Sequence, residues 1–92
     1  MTKKIIRDFN IINEKGLHAR ASAKFVDTVE KFDATAKIWK DGLDASGDSI
    51  MGLLMLAASK GTSIKVETRG TQAAQLADAL ETLLNNRFGE ES

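Results

Sequence analysis

No cysteine occurs in the chain. That absence excludes a disulfide-stapled scaffold, a zinc finger and a thiol nucleophile at once. Histidine occurs only once, so a site built on two or more imidazoles is excluded as well. Proline is missing altogether, and glycine and Asx residues supply the punctuation instead. Neither sign of charge is in excess: 13 Lys and Arg against 13 Asp and Glu give a formal net charge of zero. Such a balance lacks the basic footprint of a general nucleic-acid binder. The longest strongly apolar run, Ile50 to Ala58, is far short of the roughly 20 residues a membrane-spanning helix needs. At the N-terminus the chain turns polar again at Arg7 and Asp8. No apolar region of roughly 7–15 residues follows the first lysines, so this end does not read as a secretory signal. A phosphate-cradling glycine loop of the GxxxxGK type is absent too, which argues against binding ATP. A small, cytoplasmic protein without a membrane-inserted segment is the expectation that remains.

Of the 92 residues, 42% are hydrophobic, enough for one small core over a single domain, residues 1–92. Ile5, Phe9 and Ile11 recur at even spacing within Lys4 to Ile12 and predict a strand. A loop over Asn13, Glu14, Lys15 and Gly16 follows. From Ala19 to Lys31, Ala21, Phe25 and Val29 recur at helical spacing. Asp33 breaks that pattern, and Ala34, Ala36 and Ile38 alternate with Thr35, Lys37 and Trp39 as a second strand. Asp41-Gly42 is a tight-turn dipeptide, which makes Leu43 to Ser46 a hairpin partner. Ser46, Gly47 and Asp48 read as the entrance to a helix over Ser49 to Ala58. Beyond Lys60-Gly61, Thr62, Ile64, Val66 and Thr68 face one way along the cleanest strand. Gly70-Thr71 opens a last helix carrying Ala73, Leu76, Ala77, Leu80, Leu83 and Leu84 on one stripe and ending near Gly89. The order β-α-β-β-α-β-α predicts an α+β fold, an antiparallel sheet with helices on one face.

His18 stands where the loop after Gly16 becomes the first long helix. Imidazole is the side chain that is substantially neutral and nucleophilic near pH 7. A helix N-terminus offers free backbone N–H groups and the positive end of the dipole, a ready anion site that also disfavours an imidazolium. Arg20, two residues on, brings a guanidinium suited to phosphate. Transient phosphorylation of histidine requires such a combination. On this local pattern alone, a lone histidine is more readily a surface or helix-cap residue.

In the second cluster, Ser49-Ile50-Met51-Gly52-Leu53-Leu54-Met55-Leu56, a helix would be apolar nearly all round. Part of it must serve the core. The rest would be an exposed, methionine-rich patch of the kind that accepts partners of several shapes.

Gly16-Leu17-His18-Ala19-Arg20, continued by Ala21-Ser22-Ala23-Lys24-Phe25-Val26, resembles the active-site motif of the HPr family. These are the phosphocarriers of the bacterial phosphoenolpyruvate-dependent phosphotransferase system, which serves sugar transport. Ser49-Ile50-Met51-Gly52-Leu53-Leu54 is similar to that family's second motif, and lies at the family's separation from the first. The resemblance implies an open-faced β-sandwich, four antiparallel strands in the order 1-4-2-3 with three helices on one face. It implies that His18 accepts the phosphoryl group through Nδ1 and that Arg20 stabilises it in transfer. The backbone of Ala19, Arg20 and Ala21 would bind the phosphate. Ser49 would be a regulatory phosphorylation site for an HPr kinase/phosphorylase in lineages that possess one. Ala23, Lys24, Ile50, Met51 and Leu54 would face the partners, enzyme I and the enzyme II A domains. No metal and no cofactor are implied, and a monomer is expected.

One departure from the family pattern is plain: most members carry proline after the arginine, and here Ala21 stands in its place. Proline in a first helical turn removes an N–H that would be orphaned anyway. Its absence costs about 0.4–1 kcal/mol of chain stiffening and no catalytic group. The reading is therefore a covalent relay rather than a turnover enzyme with its own pocket. Two rivals stand beside it: a purely regulatory, nitrogen-related relay, and a non-catalytic α/β interaction module in which His18 is only a cap. Trp39 reads as a cover for the hairpin, Lys3-Lys4 as solvated surface, and Glu90-Glu91-Ser92 as a frayed end.

Overall fold

Alternating polar and apolar residues build the four strands of the computed structural model, which describes residues 3–92. Met1 and Thr2, the start of the polar N-terminal segment, lie outside the described residues. The strands are β1 (Lys4–Asn10), β2 (Thr35–Lys40), β3 (Leu43–Ser46) and β4 (Ser63–Arg69). They form one antiparallel sheet in the order β1-β4-β2-β3. The register aligns apolar residues across it: Phe9 pairs with Ile64, Val66 with Ile38, and Ile38 with Ala45. All five are buried on one face, which is covered by α1 (Ala19–Glu30), α2 (Ile50–Met55) and α3 (Ala73–Asn85). The other face, with Lys4, Asp8, Lys37, Ser63 and Lys65, is open to solvent. This is an open-faced sandwich, with the strand order and the three helices expected. Among the described residues no helix is long and apolar enough to cross a membrane.

Helical spacing puts Ala21, Phe25, Val26 and Val29 of α1 and Leu76, Ala77, Leu80 and Leu84 of α3 into the core. Arg7, which the alternation counted only as polar, shares the inner face with Ile5 and Phe9. It stays half-buried by reaching Asp78 at 2.8 Å and Glu81 at 3.1 Å on α3, so a charged clip ties β1 to the last helix. Trp39 is half-buried beneath the Lys37 ammonium, 5.2 Å from the ring centroid.

Three elements end two or more residues before the expectation, and each for a local reason. The first strand ends at Asn10 rather than Ile12. Ile11 still bonds to Thr62 and Gly61, but Ile12 is exposed and the chain turns inward at Asn13. The second helix stops at Met55 because Ala57 takes a left-handed φ of 51°. The last helix stops at Asn85, and a short turn over Arg87–Gly89 follows with Arg87 and Phe88 both left-handed, φ 52° and 56°. Phe88 is buried to 1% exposure. Its burial is worth about 1.5–3 kcal/mol and offsets the strain of two non-glycine residues in that conformation.

Candidate functional site

The approach to the first helix is set by a glycine. Gly16 takes φ +62°, and a Cβ there would sit 2.3 Å from the Ala58 carbonyl oxygen. Only glycine lets the loop pass so close to the segment after α2. The Leu17 N–H then donates to that same Ala58 carbonyl at 2.8 Å, and the Leu17 side chain enters the core. The loop is closed from within by Asn13, whose Nδ2 donates to the Gly16 carbonyl at 2.8 Å.

His18 is the N-cap of α1, in extended conformation, and its side chain makes no capping hydrogen bond. Its carbonyl accepts the Ser22 N–H at 2.8 Å, the first bond of the helix. The amides of Ala19, Arg20 and Ala21 therefore have no acceptor within the helix, as at any helix start. Ala21 itself is fully buried. Arg20 is exposed and forms no ion pair among the described residues. The imidazole, the free amides and the guanidinium thus meet at one end of α1. That arrangement can hold an anion of phosphate size against a nucleophilic nitrogen.

The C-terminal tail is a correction to the sequence reading. Glu90 is not frayed. Its side chain is only 16% exposed, and its Oε2 contacts His18 Nε2. Its other oxygen accepts from Asn13 Nδ2 at 3.0 Å. Burial pulls the Glu90 carboxyl upward, but the hydrogen bonds from Asn13 and His18, with the charges of His18 and Lys15, outweigh it. They hold the group below the ordinary carboxylate value. Lys15, Ala19 and Arg20 line the same shallow depression as His18 and the tail. Lys24, expected at the partner surface, is half-buried, and its Nζ donates to the Phe88 carbonyl at 2.6 Å. Ala23 beside it is half-buried too.

Around α2 the apolar run divides as its composition required. Leu53 and Leu56 are in the core, Leu54 is half-buried, and Ile50, Met51 and Met55 are 39%, 69% and 75% exposed. Ser49 precedes the helix as its N-cap rather than lying in its first turn, and its Oγ accepts the Gly52 N–H at 3.0 Å. The Leu17–Ala58 bond joins the far end of this segment to the residue before His18.

Asn13, Phe88 and Glu90 are the site residues that pattern reading missed. The one local signal was Phe88 itself, a lone aromatic before a glycine in an otherwise polar tail.

Comparisons with known proteins bear on the family and the fold. A family model described as the PTS HPr component phosphorylation site matches residues 5–86. The phosphocarrier protein HPr of Neisseria meningitidis serogroup B is 48% identical over 84 residues, covering 91% of this chain and 94% of that protein. The protein of the same name from Cupriavidus necator is 45% identical over 91% of this chain and 94% of its own length. Among solved structures, HPr-C-His from Thermoanaerobacter tengcongensis superposes with a TM-score of 0.88 at 36% identity. That match covers 98% of this chain and 99% of the other. HPr from Bacillus anthracis gives 0.83 at 32% identity over 88% and 96%.

Proposed function

The chain belongs to the HPr family of phosphotransferase-system phosphocarriers, and from that premise we propose that His18 is its phosphoryl acceptor. The group is received on Nδ1 from enzyme I, itself charged by phosphoenolpyruvate, and is passed on to enzyme II A domains. The observation that carries this reading is the placement of His18. It caps α1 without using its side chain as a cap, beside three amides that have no helical acceptor. The amides of Ala19, Arg20 and Ala21 receive the phosphoryl oxygens, and Arg20 supplies the cationic fork. The reaction is an exchange: the bond from phosphorus to the donor breaks as the bond to Nδ1 forms. The protein works as a covalent carrier and not as an independent turnover enzyme.

Docking uses the exposed Ile50 and Met51 with Leu54 and the neighbouring Ala23 and Lys24. Three polarizable or branched side chains on one short helix suit a surface that must fit both enzyme I and several A domains. Ser49, at the edge of that surface, is the position where an HPr kinase/phosphorylase would regulate docking. The protein acts in the cytoplasm as a single-domain monomer.

His18→Ala tests the assignment. The variant should take up no acid-labile phosphate from enzyme I and phosphoenolpyruvate, yet stay folded, because no capping bond is lost and only the contact with Glu90 goes with the ring. Phosphate uptake by the alanine variant would overturn it.

A further inference from the structure

A carboxylate accepts hydrogen bonds and has no proton to donate when ionised. Glu90 is held ionised by its surroundings, and its Oε2 lies against His18 Nε2. In the neutral ring the proton of that contact therefore resides on Nε2, and the lone pair resides on Nδ1. Nδ1 has no partner among the described residues. We propose that Glu90 is a positioning residue for phosphoryl transfer: it holds the imidazole in the tautomer whose Nδ1 is the nucleophile, and it balances the charge the ring acquires. The proposal rests on the reading of His18 as the phosphoryl acceptor.

The step balances without any added group. The Nδ1 lone pair forms the bond to phosphorus as the donor's bond to phosphorus breaks and its electron pair leaves with the donor. The ring keeps its Nε2 proton and becomes a phosphoimidazolium carrying one positive charge. That charge faces the Glu90 carboxylate. On delivery the sequence reverses: the bond from Nδ1 to phosphorus breaks, its electrons return to the ring, and neutral imidazole with Nε2 still protonated is restored. A carboxylate on the ring edge away from Nδ1 thus favours the cationic carrier form without entering the path of the phosphoryl group.

Glu90 is itself held for this task. Its Oε1 accepts from Asn13 Nδ2, which also donates to the Gly16 carbonyl in the loop leading to His18. Both partners of that amide nitrogen are acceptors, so the orientation of Asn13 is determined. Its Oδ1 is left buried without a partner as a consequence, a cost accepted for the sake of the two donations. The left-handed pair Arg87 and Phe88 turns the chain back after α3, the buried Phe88 ring anchors the turn, and Lys24 binds its carbonyl. Glu90 follows two residues later. It lies beyond the residues 5–86 matched by the family model, so the match itself assigns it no part.

Glu90→Ala and Glu90→Gln test the proposal, with proton and nitrogen NMR of the unphosphorylated ring and steady-state phosphorylation by enzyme I. The parent should show an exchange-protected Nε2–H signal that is absent from E90A. The rate constant kcat for phosphorylation of E90A should fall on the order of tenfold, as for loss of a partly exposed charge-assisted hydrogen bond, with KM unchanged. E90Q should be at least as slow. Its single oxygen can serve Asn13 or His18 but not both, and an amide N–H aimed at Nε2 moves the ring proton to Nδ1. Parental kcat in E90A, a loss confined to KM, or a parental Nε2–H that exchanges freely would each overturn the proposal. The ring signals are read without phosphate, so they stand or fall separately from the His18→Ala result.

Discussion

Ser49 offers the sharpest separation of stability from docking, because its hydroxyl caps α2 while the residues beside it form the exposed patch. Removing the hydroxyl in Ser49→Ala leaves the Gly52 N–H, now bonded at 3.0 Å, without its acceptor. Loss of an N-cap of this kind costs about 1 kcal/mol. For a domain of this size, that lowers the melting temperature by roughly 4–8 °C. Ser49→Asp retains an acceptor at the same position and adds a negative charge at a helix start, where it is tolerated or mildly favourable. Its melt should therefore match the parent. Docking should respond in the opposite order. In Ser49→Asp a charge lies beside Ile50 and Met51, 39% and 69% exposed, and must be desolvated when a partner covers them. Binding of enzyme I should weaken at least tenfold, about 1.4 kcal/mol. A phosphate, with roughly −1.5 to −2 charge, should do more. Ser49→Ala should bind enzyme I as the parent does. Calorimetric titration with enzyme I, alongside thermal melts of all three proteins, measures both effects. Parental affinity in Ser49→Asp would make the hydroxyl a cap and nothing more, and an unchanged melt in Ser49→Ala would refute the capping argument.

Arg20→Lys keeps the charge of an exposed residue but loses the planar fork. Phosphoryl transfer at saturating enzyme I should slow on the order of tenfold with no change in melting, and a parental rate would show that the fork is not used. Gly16→Ala places a Cβ 2.3 Å from the Ala58 carbonyl in a left-handed residue. It should cost at least about 2 kcal/mol in urea denaturation, and a parental midpoint would contradict the close approach. Glu90 is held below its ordinary value of 4.5 in the folded protein. Its contribution should be fully present above that value and lost as pH falls through the lower, folded-state one. The stability gap between the parent and Glu90→Gln should accordingly close as the pH is lowered from neutral to well below the ordinary value of 4.5. A gap that widens on acidification would reverse the assignment.

What the sequence determined by itself lies in short-range pattern. Alternation in Ser63 to Arg69 and three-to-four spacing in α1 and α3 name the strands and helices because backbone geometry gives each element its own period. The position of His18 at a helix start follows from the residues on either side of it. The Gly-Leu-His-Ala-Arg and Ser-Ile-Met-Gly motifs carry the family resemblance, and with it the strand order that periodicity cannot supply. Tertiary structure decided the rest. Arg7 falls on the same parity as Ile5 and Phe9, where alternation calls for an apolar residue, and only the packing of α3 over β1 gives it Asp78 and Glu81. The run Leu76 to Leu84 favours helix, but where that helix stops depends on Phe88 finding the core, a gain that local propensity does not contain. Ser49 was legible as a helix-start serine, while its exact seat as the cap required the Gly52 amide to be placed. Glu90 meets His18 across 72 residues of sequence. No local spacing encodes such a contact: it exists because the chain reverses through two left-handed residues, and those are held by a buried ring and a lysine from another helix.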